Sequence, residues 1–158
     1  MTQKAFQDYY TEDFSHCYGC GRLNEHGLQI KSYWDGDESV AKFFPNDDHI
    51  AIPGYVYGGL IASLVDCHCV GTAAAATYKA EGRSMDTKPA LRFVTASLKV
   101  DYLAPTPLGV ELEIRAKVSE VQKRKVIVEA KVIADNKVCA NGYVVAAPMP
   151  DSMKTISV

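Results

Sequence analysis

The hydrophobic positions of this chain keep two different periods. From Val110 to Val118 they alternate strictly, with Val110, Leu112, Ile114, Ala116 and Val118 set against Glu111, Glu113, Arg115 and Lys117. A period of two predicts a half-buried β-strand. Arg92 to Tyr102 alternates too, one face apolar and the other carrying Thr95, Ser97, Lys99 and Asp101, and Pro105, Pro107 and Gly109 close it. Val126 to Ala134 and Val138 to Ala147 read as two more strands, joined by Asp135-Asn136, a two-residue hairpin turn. Nearer the start, Gly27 to Trp34 sets Leu28, Ile30, Ser32 and Trp34 against Gln29, Lys31 and Tyr33, and Asp35-Gly36-Asp37 turns it into a partner strand through Val40, Lys42 and Phe44.

Between these runs the period changes. After the Pro53-Gly54 turn and the Gly58-Gly59 pair, Leu60, Ile61, Leu64 and Val65 recur at helical spacing, which predicts a helix from about Gly58 to Ala80 that stops near Gly82. This helix is apolar nearly all round and needs a sheet wrapped over it; Ala73 to Ala76 suggest close approach of another backbone. The expected class is α+β: one long central helix and a five- to six-stranded, mainly antiparallel sheet. Residues 1–15 read as an N-terminal arm, 16–147 as one domain and 148–158 as a mobile tail.

One acid interrupts the helix. Asp66 is the only carboxylate between Leu60 and Tyr78, and no cation lies three or four residues from it. Such a group either faces a wet cavity or costs several kcal/mol to bury, on the order estimated for unpaired buried ions. Gly58 and Gly59 either carry helix-start N–H groups to a ligand or allow close helix-sheet packing. Asp66 lies eight residues beyond Gly58, roughly 12 Å along a helix at about 1.5 Å per residue. Both can act on one small reacting group only if they come from two antiparallel copies of the helix, which places the site in a dimer. His68 points away from Asp66 on the same helix and reads as packing; His49 reads as a solvated loop residue.

Composition narrows the rest. A chain of 158 residues that is 47% hydrophobic and 23% charged is an ordinary globular domain, and a net charge of −2 offers no global attraction to nucleic acid or anionic membrane. The first residues lack the apolar run of a signal peptide, so a cytoplasmic protein is expected. Five cysteines in such a chain suggest reduced thiols. Cys17-x-x-Cys20 is half of a tetrahedral metal site, and Cys67, His68 and Cys69 cannot all face one ion because successive helical residues diverge by about 100°. A glycine-rich turn with two packed thiols is the reading adopted, with no metal or other cofactor. Lys123, Arg124 and Lys125 form a charged turn, solvated or placed to meet phosphates.

Three stretches carry a resemblance: Cys17-Tyr18-Gly19-Cys20-Gly21 with Gly27-Leu28; Pro53 to Gly59 leading to Asp66; and Val94 to Leu98 ending at Tyr102-Leu103-Ala104-Pro105. Over residues 16 to 147 the chain resembles the hotdog-fold acyl-CoA thioesterases of the PaaI-like branch. The resemblance implies a homodimer or a dimer of dimers, an acyl-CoA substrate, Asp66 as general base or nucleophile, Gly58 N–H on the thioester carbonyl and Thr95 holding the water. Tyr57, Gly59, Ser63 and Ser97 are the accompanying substrate-binding candidates. Tyr57 departs from the family's usual histidine, which leaves a ligand-binding protein that does not cleave as the alternative; hydratase chemistry fits less well because His68 and Asp66 diverge.

Overall fold

The computed structural model describes residues 2–154. Six strands, β1 (Ser32–Asp35), β2 (Glu38–Phe43), β3 (Phe93–Tyr102), β4 (Leu112–Gln122), β5 (Lys125–Ala134) and β6 (Lys137–Pro148), form one antiparallel sheet in the order β1-β2-β4-β5-β6-β3. The helix α1 (Gly58–Ala80) packs on one face of it, and a short helix α2 (Asp151–Lys154) follows β6. A long helix under one antiparallel sheet is what the periodicities predict, and it is the hotdog arrangement that the resemblance implies.

The core forms where the two periods meet. Leu112, Ile114 and Ala116 of β4 and Val126, Val128 and Val132 of β5 point inward and pack with Leu60, Ile61, Leu64, Val65 and Cys69 of α1. By length and composition α1 could cross a membrane, but most of its apolar stretch is buried inside this fold. At Gly142 of β6 the helix comes so near that a Cβ would stand 2.3 Å from Val65 Cγ1. The residues of α1 that are not fully buried include Gly59, Ala62, Ser63, Asp66, Cys67 and Val70, spaced by three and four. They form one stripe.

Local chemistry accounts for the ends and turns. Asp135 and Asn136 both take positive φ, 49° and 61°, as a two-residue hairpin turn of this type requires. Gly82 at φ 65° follows the last turn of α1.

Three expectations need correction. The strand anticipated from Gly27 begins only at Ser32, because Gln29 takes φ 52°, a left-handed conformation that breaks extended pairing. In β3 the apolar alternation gives only a partly buried face: Phe93 and Val100 pack against the core, while Ala96 and Leu98 are exposed in a strand that pairs only with β6 at the edge of the sheet. The N-terminal residues lie against the domain, as the reading of an arm allows, and the ordered chain runs further than a tail from Pro148 would. Phe6 and Gln7 are buried, with Phe6 against Trp34 at 5.2 Å between ring centroids, while β6 runs to Pro148 and Met149 is buried. Residues 155–158 of the expected tail lie outside the described residues.

His68 has the packing role anticipated for it. Its Nδ1 lies 2.8 Å from Ser32 Oγ and its Nε2 3.0 Å from Ser39 Oγ, and Ser39 Oγ lies 2.6 Å from Thr72 Oγ1. Gln7 Nε2 donates to Ser32 Oγ at 3.0 Å, so one buried polar chain ties the N-terminal segment, β1, β2 and α1 together. Complete burial pulls the His68 pKa down to about 4, against a smaller upward effect from the Ser39 backbone. The folded state therefore holds a neutral ring where the unfolded chain would take a proton. The stability from this neutral ring is present above about pH 6.5 and is lost as the pH falls towards about 4, on the order of 3 kcal/mol. Urea midpoints measured across that interval should fall steeply for the wild type and less for His68→Gln.

Candidate active site

Asp66 sits halfway along the incompletely buried stripe of α1, and β3 brings Thr95 to it. The Thr95 hydroxyl donates to Asp66 Oδ1 at 2.5 Å. A register shift in the β3–β6 pairing between Thr95 and Ser97 falls just after this contact, a local irregularity of the kind that re-aims a side chain. Ser97 lies beyond the shift on the exposed edge.

Both groups line a cavity of about 300 Å³. Its walls come from four parts of the chain: Tyr10 and Phe14, then Cys17 and Cys20, then Asp66, Cys67 and Val70 of α1, then Leu91 to Thr95. Arg92 lies over the rings of Tyr10 and Phe14, donates through Nη1 to Leu91 O and through Nη2 to Thr11 Oγ1, and keeps its Nε shielded without a partner among the described residues. A broader depression of about 870 Å³, lined by Lys99, Lys117 and Glu129 among others, lies on the sheet face away from α1 and contains neither Asp66 nor Thr95. The smaller cavity is therefore the chemically equipped one.

Partial burial raises the Asp66 pKa above the ordinary carboxylate value, the Thr95 hydrogen bond opposes this, and the nearby Cys17 thiolate adds to the rise. A carboxyl so placed is a stronger base than a solvated one.

The N-terminus of α1 holds the other candidates. No side chain caps it, so its first N–H groups have no intrahelical acceptor and carry the positive end of the helix dipole. Tyr102 donates its hydroxyl to the Gly58 carbonyl at 2.7 Å. The phenol of Tyr57 folds back over Gly59 so closely that a Cβ there would meet its oxygen at 2.1 Å, which makes this glycine a steric requirement of the tyrosine. Ser63 donates to the Gly59 carbonyl at 2.8 Å and is engaged within the helix. Gly58, Gly59, Tyr57 and Ser63 thus gather at the helix start, one group, while Asp66 and Thr95 form another two turns on. Lys123 and Arg124 stand exposed at the tip of the β4–β5 hairpin, with Lys125 half-buried at the start of β5.

The cysteines depart from the two-thiol expectation. The Sγ atoms of Cys17, Cys20 and Cys67 all lie within 4.8 Å of one another, and those of Cys17 and Cys67 are 3.7 Å apart. The requirement that three consecutive helical residues face one ion was too strict, since one of them is enough to join a distant pair. The thiols of Cys20 and Cys67 hold Cys17 down to about 2, while the Cys17 thiolate in turn pushes Cys20 up to about 12 and Cys67 upward. Sequence spacing also missed Tyr10, Phe14 and Arg92 as cavity walls, and nothing local could have found them.

Residues 53–140 match the thioesterase superfamily, 88 of 158 positions. The chain belongs to this superfamily. Its hotdog fold is PaaI-like. A thioesterase superfamily protein from Shewanella loihica PV-4 is 46% identical, with the match covering 89% of this chain and 100% of that one at a TM-score of 0.68. The PaaI protein from the phenylacetic acid degradation operon of E. coli is 17% identical over 78% of this chain and 81% of its own, TM-score 0.63, a likeness of fold alone. Over 80 residues the chain is 35% identical to acyl-coenzyme A thioesterase THEM4 of Xenopus laevis, a match covering 51% of this chain and 30% of that protein.

The strained position of Asp66 has a measurable sign. Because its folded-state pKa is raised, the native protein is most favoured while the carboxyl keeps its proton and loses that advantage as the pH rises through the pKa. Asp66→Asn, which keeps an acceptor for the Thr95 hydroxyl without the charge, should unfold at a higher urea concentration than the wild type at pH 7.5 and at a similar one at pH 4.

Proposed function

We propose that this protein hydrolyses an acyl-CoA thioester at a site shared by two antiparallel copies of α1. The observation that carries the reading is the Thr95 hydroxyl directed onto a half-buried Asp66 at the mouth of a cavity, and the partial match to an acyl-coenzyme A thioesterase supports the substrate class. Asp66 removes a proton from water as the oxygen attacks the thioester carbon. The raised affinity of Asp66 for that proton favours the transfer. Negative charge gathers on the carbonyl oxygen, where the Gly58 N–H of the second copy donates to it at the positive helix end. Collapse of the tetrahedral adduct re-forms the carbonyl and expels the coenzyme A sulfur, which takes up the proton held by Asp66 and departs as the thiol, and the acid is left in the cavity. Tyr57 and Gly59 flank the carbonyl, and Thr95 keeps the carboxylate oriented towards water.

The need for two copies is geometric. One α1 cannot bring its own N-terminal amide and Asp66 to the same atom, because they lie roughly 12 Å apart along the axis.

A complementation experiment tests both the chemistry and the pairing. Proline suits the first helical position, and Tyr57 at φ −62° and ψ 130° already has the extended backbone that precedes a proline, so Gly58→Pro removes the N–H with little local change. Thiol release from a panel of acyl-CoA esters should fall about 10²- to 10⁴-fold in Asp66→Asn and about 10²- to 10³-fold in Gly58→Pro. Co-refolding the two variants in equal amounts should recover about a quarter of the wild-type rate, since half of the dimers then carry one intact site. No recovery would place both groups in one subunit or remove one of them from the reaction, and an undiminished Asp66→Asn would end the assignment of the base.

A further inference from the structure

The reaction proposed above leaves unused the most concentrated set of soft ligands in the molecule. Cys17, Cys20 and Cys67 converge from a tight turn and from the middle of α1, all three sulfurs within 4.8 Å, none of them in a disulfide. Sulfurs bound to one tetrahedral ion at about 2.3 Å stand roughly 3.8 Å apart. The Cys17 to Cys67 separation is 3.7 Å.

The backbone is shaped for this approach. A Cβ on Gly19 would stand 2.2 Å from Cys67 Sγ, so the turn can receive the helix thiol only because residue 19 has no side chain. Gly21 is pinned in the same way, with a Cβ there reaching 2.5 Å from both Cys17 N and Ser15 O, and its N–H donates to Cys17 O at 2.8 Å.

Three sulfurs this close together form a donor set that one thiophilic cation can bridge, each ligand releasing its proton as the ion binds. Asp66, next to the cluster in the same cavity, adds negative charge.

We infer that Cys17, Cys20 and Cys67 form a three-thiolate site for a single thiophilic divalent cation of the zinc type, with the fourth position open to the cavity that Asp66 lines. Such an ion would fasten the strandless N-terminal segment, which supplies Tyr10, Phe14, Cys17 and Cys20 to the cavity wall, onto the helix that carries Asp66. Its binding does not depend on the hydrolytic reading, because uptake is read without any substrate.

The test uses the full chain, stripped by chelator under reductant and titrated with Co²⁺. Wild type should take up a single ion per chain with thiolate-to-cobalt charge-transfer absorption and the intense visible bands of a tetrahedral ion, and Zn²⁺ should bleach both. Zn²⁺ should also raise the thermal midpoint of the wild type. Cys17→Ser, at an exposed position where folding is not at risk, and Cys67→Ser should lose the absorption and the thermal shift; Cys69→Ser and Cys139→Ser should keep them. The proposal is overturned if wild type shows no charge-transfer band, if the band survives in Cys67→Ser, or if two of the three sulfurs are recovered as a disulfide from reducing buffer.

Discussion

A helix of 23 residues with almost no polar side is the constraint from which the rest of this fold follows. Water cannot be left against Leu60, Ile61, Leu64, Val65 and Cys69 without losing the hydrophobic stabilisation of each, about 1.5 to 3 kcal/mol for a fully buried aliphatic side chain. The sheet therefore curls over α1, and β4, β5 and β6 supply small or branched residues to its inner face. At Gly142 the two come too close for even a methyl group. A sheet can cover only part of a cylinder. What it leaves uncovered is the stripe from Gly59 to Val70, and the one helical acid lies on that stripe. The position of Asp66 is thus a consequence of where the packing stops.

Elements specified by neighbouring residues were legible in the sequence. The helix bounds, the Asp135-Asn136 hairpin and the inward alternation of β4 each rest on contacts or dihedrals within a few positions. Reading failed where a distant partner or a single dihedral decided the outcome. Gln29 looks like any strand residue until its left-handed φ ends the run, and β3 alternates like a buried strand although its place at the sheet edge leaves Leu98 exposed. The resemblance named Asp66 as the acid and Thr95 as a holder of water, but their direct hydrogen bond is tertiary, and the spacing of the two residues implies nothing about it. The joining of Cys67 to Cys17 and Cys20, and the walls built by Tyr10, Phe14 and Arg92, are wholly tertiary and had no local signal.

Tyr57, where the resemblance would place a histidine, is accommodated locally. Its phenol lies in the space that a side chain at position 59 would need, so the glycine after Gly58 is tied to the aromatic ring as well as to the helix start. Tyr102 adds a second phenol at the same place through its bond to the Gly58 carbonyl. Two phenol hydroxyls, able to donate hydrogen bonds, consequently stand at the entrance to α1.

The stretch matched by the superfamily begins at residue 53, yet Tyr10, Phe14, Cys17 and Cys20 of the same cavity come before it. The acid and its hydroxyl partner belong to the shared scaffold, while part of the enclosure around them belongs to a segment that contributes no strand to the sheet. Shape and polarity of the chamber can thus change through those early residues while the helix, the strands and the Asp66–Thr95 pair stay as they are.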